Sequence, residues 1–107
     1  MKLSLVETKE GTVPASGTVT IEVGPTAHGE SWELDGQAVM MSTAELEPTG
    51  VLTLNGRFLF GTYVASRNSS GRALRLQSGD KLAFTWTGAD VGATATFTVT
   101  GTKYLPG

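Results

Sequence analysis

Glu30, Glu33 and Asp35 form the densest group of acids in the chain, with Trp32 among them and the only histidine, His28, just ahead. Such carboxylates could serve as an acid/base pair or as oxygen ligands for calcium. In an extended segment, however, Glu33 and Asp35 lie on one face and Glu30 on the other. Scattered this way, the three are expected to be solvated strand-edge charges, which also discourage edge-to-edge aggregation. One histidine supports neither a multi-histidine metal site nor a serine triad. His28 sits in Gly24-Pro25-Thr26-Ala27-His28-Gly29, which reads as a loop because Gly-Pro cannot continue a central strand.

Trp32, Tyr63 and Trp86 are the residues that could stack on a sugar ring. Trp32 shares a face with Leu34, and Trp86 shares one with Leu82 and Phe84, so packing in the core is the favoured expectation for both tryptophans. Asp80 and Asp90 follow turn positions, where aspartate commonly bonds nearby backbone amides. Gly88 and Gly92 do not lie between a strand and a helix and are not a phosphate loop. Nothing supplies a nucleophile, a base and an oxyanion site together, so the chain is read as non-enzymatic, without a cofactor or metal.

The elements that must carry these residues are strands. The chain has 107 residues, 14 glycines, 39% apolar residues and only 17% charged residues, a composition that favours short strands and turns. That length suits one domain, 1–107, with a single core. Leu82, Phe84 and Trp86 alternate with polar positions, as do Ala95, Phe97 and Val99 with a run of threonines. Together with Leu74 and Leu76, these segments are expected to form a three-strand meander turning at Ser78-Gly79-Asp80 and at Thr87 to Gly92.

Upstream, Val19, Ile21 and Val23 mark another strand, and Glu30 to Thr43 reads as one bent strand or two short ones. Met1 to Thr8 is expected to be an edge strand or ordered arm. Asn55-Gly56 between apolar runs is the preferred two-residue hairpin turn. Thr43 to Pro48 and Ser66 to Arg72 are read as loops. The sum is an all-β, single-domain β-sandwich of jelly-roll or related Greek-key topology, with about seven to nine strands.

Charge narrows the partners. Net charge is −2, which does not suit a general nucleic-acid binder. Two lysines face eight acids in residues 1–50, whereas six basic residues face two acids in 51–107. Either copies of the chain meet through opposite charges, or the halves interleave within one sandwich. Few apolar residues precede Glu7, far short of a signal-peptide core or a membrane span, so cytoplasmic synthesis without a membrane partner is expected. The chain contains no cysteine, so no disulfide is available.

Gly61-Thr62-Tyr63, the run from Leu74 to Leu82, the run from Trp86 to Ala95, and Val99-Thr100-Gly101-Thr102 together resemble small proteins encoded among the virion structural genes of tailed phages and prophages of actinobacteria. Gly24-Pro25 before Trp32, and Met41-Ser42-Thr43, fit the same pattern. Asp90-Val91-Gly92 and the loop from Glu45 to Thr49 depart from it. The resemblance implies a virion component, either a capsid decoration protein or a part of the tail or fibre apparatus. It also implies self-association, for instance as a trimer, and docking on other virion proteins. Leu3, Leu5 and Val6 at one end, Tyr104 and Leu105 at the other, and Arg67, Arg72 and Arg75 between them are the expected contacts. The alternative is a carbohydrate-binding module for a host-surface glycan, using Trp32, Tyr63 or Trp86.

Overall fold

A computed structural model describes residues 1–42, 49–64, 67–70 and 73–106, with backbone alone for 60–64 and 67–70. Among the described residues there are nine strands: β1 Lys2–Thr12, β2 Val19–Val23, β3 Ser31–Met41, β4 Thr49–Leu54, β5 Arg57–Val64, β6 Arg67–Ser70, β7 Leu74–Leu76, β8 Leu82–Thr87 and β9 Thr94–Tyr104. One sheet runs β1-β9-β3, and β6 and β7 lie end to end along the far side of β3, against Gln37–Met40 and Trp32–Leu34. The other runs β2-β8-β4-β5. Every pairing is antiparallel. Each sheet is four strand positions wide, and the strand order is that of a jelly-roll sandwich.

Strands from the two halves of the sequence alternate in the first sheet, and in the second β2 of the acidic half pairs with β8 of the basic half. The halves thus meet within one sandwich, although β4 and β5 beyond β8 come almost wholly from residues 51–107. The core is built from alternate residues facing inward. Phe84 and Trp86 of β8 meet at 4.5 Å between ring centroids, and Phe84 meets Phe97 of the opposite sheet at 6.0 Å. Gly50 lies against this cluster, where a Cβ would overlap the Phe84 ring. Gln37, Val39 and Met41 are the inward residues of distal β3, after a register shift between Leu34 and Gly36 that bends the strand. Gly101 crosses this bend, and a Cβ there would overlap the Glu33 carbonyl.

Asn55 and Gly56 have φ values of 52° and 82°, so both central residues of the β4–β5 turn are left-handed as a type I′ hairpin requires. The expected meander is not formed. β7 and β9 belong to one sheet and β8 to the other, so neither connection is a hairpin. The two connections bond elsewhere instead. Gly79 N donates to Pro25 O at 3.0 Å, Ala89 N to Gly17 O at 2.9 Å and Gly92 N to Val13 O at 3.0 Å. Ala89 and Ala93 are buried, so the 88–93 connection closes one end of the sandwich against residues 13–17. The expected loop Ser66–Arg72 contains strand β6, paired to β3. Thr43–Pro48 lies outside the described residues.

Candidate interaction surface

β1 is an edge strand along its whole length, in uninterrupted register with β9 from Lys2↔Tyr104 to Thr12↔Thr94. Its bonding direction is fixed at both ends. The Met1 amino group donates to Leu105 O at 2.9 Å and Leu105 N to Met1 O at 2.8 Å. Val13 N donates to Ala93 O at 2.9 Å. Odd-numbered residues therefore turn their backbone groups toward β9. Antiparallel alternation leaves those of Lys2, Ser4, Val6, Thr8, Glu10 and Thr12 facing away, along an edge with no further strand among the described residues. The side chains of those six residues are all exposed on the outer face of the sheet. Val6 is 71% exposed, and Thr8 shares a hydroxyl contact of 3.0 Å with Thr98 of the threonine row on β9.

Beside this edge, β3 carries the acids singled out by the sequence, and they do not converge on a common point. Glu30 is buried, contrary to the expectation of a solvated charge: its carboxylate accepts a 2.6 Å bond from the Trp32 indole and lies 3.8 Å from Lys103 Nζ. The cause is periodicity, because Glu30, Trp32 and Leu34 share the inward face of one extended segment. Burying an indole N–H without an acceptor is costly, and Glu30 supplies that acceptor. On the opposite face, the Tyr104 hydroxyl donates to Glu33 at 3.1 Å, and the Thr100 hydroxyl donates to Asp35 at 2.8 Å. The hydrogen bond to the Glu33 carboxylate, which only the protonated hydroxyl can make, pushes the Tyr104 phenol above its ordinary pKa, and the nearby negative charge adds to this. Arg75, exposed on β7, stands opposite Glu33 in register. A shallow groove of about 400 Å³ runs along Glu33, Leu34, Asp35, Ala73, Leu74, Arg75 and Thr102.

Asp80 is structural, as expected. Its carboxylate accepts from Gln77 N at 2.7 Å and from the Asn55 amide at 3.0 Å, and Asn55 Oδ1 accepts from Lys81 N at 2.8 Å. These bonds hold the Asp80 carboxyl below its ordinary pKa, the Gln77 amide contributing most. They also lock the hairpin turn to the β7–β8 connection. A shallow cleft of about 210 Å³ opens nearby between Lys9, the segment Glu22–Thr26 and Gly79–Lys81.

The expected contact residues separate into distinct groups. Leu3 and Val6 are exposed on β1, whereas Leu5 is buried in the chain's own core, because strand alternation turns it inward where Leu3, nearer the strand end, stays open. Tyr104 and Leu105 are half-buried and bond within the chain, to Glu33 and to Met1, so the two ends of the sequence dock on each other. Arg75 is exposed; Arg67 is placed only as backbone in β6, and Arg72 lies outside the described residues. Trp32 and Trp86 are 4% and 2% exposed and offer no face to a sugar. Tyr63 is placed only as backbone in β5. His28 is exposed in its loop. Among the described residues no three His, Cys, Asp or Glu side chains form a group that could hold a metal ion. No helix among them is long and apolar enough to cross a membrane.

No family model matches the chain, and no curated protein matches it. Among solved structures, the chain is similar to part of dimeric latent PorU from Porphyromonas gingivalis, at a TM-score of 0.41 and 13% identity. That match covers 91% of this chain and 13% of the PorU chain.

Proposed function

We propose that this chain is a non-enzymatic virion structural module, a capsid decoration or tail-associated protein that works through protein contacts. The observation that supports this reading best is β1. It is an eleven-residue edge strand whose outward backbone groups and exposed apolar side chains Leu3 and Val6 are available to another protein. A strand adds to such an edge through main-chain bonds, while alternate side chains select the partner. The fold is compatible with this role by analogy alone, since jelly rolls serve both capsid proteins and lectins. The sequence resemblance to phage virion proteins gives the reading its setting.

A glycan-binding role would fall to Tyr63 or to the groove beside Arg75, now that both tryptophans are internal. Mass spectrometry of particles purified from a host carrying the gene tests the virion role. The chain is expected at a copy number set by the particle's symmetry, and particles that lack it would contradict the proposal.

A further inference from the structure

The four outer strand positions of the sandwich differ sharply in how open they are to pairing. β2 is five residues long, β5 is bulged against β4 at two places, and the far side of β3 is capped by two short pieces, β6 and β7. Short, broken and bulged edges resist addition of another strand. β1 is the exception, with eleven residues in unbroken register. From its placement we infer that β1 pairs with β1 of a second copy, antiparallel about a two-fold axis through Val6, joining the two five-stranded sheets into one. This rests on the assembly role proposed above and specifies one of its contacts.

The strand's own sequence selects that register. A two-fold normal to the sheet keeps outer face on outer face, so residue i can stand opposite residue j only where their sum is even. All such registers bring the outward-pointing even residues together as bonded pairs. With the axis at Val6, Lys2 stands opposite Glu10 of the second copy, and symmetry repeats the pair. Ser4 stands opposite Thr8, and the 71% exposed Val6 meets its own counterpart. The stem of Lys9 can lie over the exposed Leu3 of the second copy.

Sliding the axis to Glu7 sets two Glu7 carboxylates against each other. Sliding it to Leu5 leaves Lys2 opposite Thr8, without a charged partner. Sliding it to Thr8 pairs Glu7 with Lys9 but sets Val6 against Glu10 and leaves residues 1–3 unpaired. Like charges directly opposite are unfavourable and unlike charges favourable, and the Val6 register gains its two Lys2–Glu10 pairs while still pairing nine of the eleven residues of β1.

Cysteine cross-linking tests the register cleanly, because the native chain has no cysteine. Val6→Cys places two thiols at a bonded pair, where Cα atoms about 5.5 Å apart can be bridged. Thr8→Cys places them four residues out of register, roughly 13 Å apart along the strand, too far to bridge. Both positions are exposed, so neither variant challenges the fold. Under mild oxidation Val6→Cys is expected to run as a covalent dimer and Thr8→Cys as a monomer. Lys2→Glu is expected to weaken the dimer roughly tenfold, and adding Glu10→Lys to restore it. Cross-linking through Thr8 rather than Val6, absence of cross-linking in both, or no rescue by the double exchange would each overturn the inference. If cross-linking fails while the chain is still found in particles, self-pairing alone is lost. If particles lack the chain while Val6→Cys dimerises, the virion role alone is lost.

Discussion

The two ends of the sandwich's width offer opposite surfaces to solvent. β5 closes the second sheet with register irregularities on both sides of Leu52, so that its backbone does not present an even row of donors and acceptors. β1 closes the first sheet with no irregularity over eleven pairs. Both strands are anchored through a neighbour, but only β1 repeats its outward groups regularly enough to template another strand. An edge can thus be protected in one sheet and left open in the other of the same small domain. The open one is the natural place to look for a contact.

Breaking the anchor of β1 is expected to have the largest effect. Leu5→Pro removes an N–H that faces β9 and a buried side chain, and should destabilise the fold by about 3 kcal/mol or more. Urea unfolding measures this. A Leu5→Pro protein as stable as the native chain would mean that the assigned bonding direction of β1 is wrong.

A smaller loss is expected behind the edge. Glu30→Ala strips the acceptor from the Trp32 indole next to Lys103, the register partner of both Trp32 and Leu3. The expected cost is about 1–3 kcal/mol, with a shift in tryptophan emission, whereas Glu30→Gln, which keeps an acceptor, should lose less. Equal losses in the two variants would place the role of Glu30 in its charge rather than in the indole bond.

The smallest effect belongs to the β5 side. Because folding lowers the Asp80 pKa, its carboxylate contributes stability that is fully present above the unfolded value near 3.8 and fades as pH falls through the folded one. Native protein should therefore lose a little more stability than Asp80→Asn on acidification through that window. Denaturation midpoints at stepped pH compare the two, and parallel curves would remove Asp80 as the lock on the β4–β5 turn.

Local signals in the sequence were readable where one turn or one strand decides the outcome. Asn55-Gly56 dictates a hairpin by itself, and alternation around Phe84 and Phe97 identifies inward faces without knowledge of neighbours. Sheet membership is not local. Ser78-Gly79-Asp80 and Thr87 to Gly92 have the composition of hairpin turns, yet Pro25, Val13 and Gly17 capture their amides and carry the chain from one sheet to the other. Glu30 was legible in principle, since two-residue spacing from Trp32 puts it on the core face, but its charge pointed the other way. Leu5 shows the same competition: its apolar character suits an interface or a core equally, and only the pairing of β1 with β9 decides for the core. That β1 is the regular edge follows from the strand order and from the bulges elsewhere, which no single segment encodes.

Val6→Pro isolates the open edge most directly. The Val6 N–H faces away from β9, so proline there removes a donor that only an added strand would use, and proline is tolerated at such edge positions. Light scattering on native and Val6→Pro protein should give twice the 11.2 kDa chain mass for the first and the single chain mass for the second, with both folded. Native protein at the single chain mass, or a dimer that survives Val6→Pro, would contradict pairing through β1.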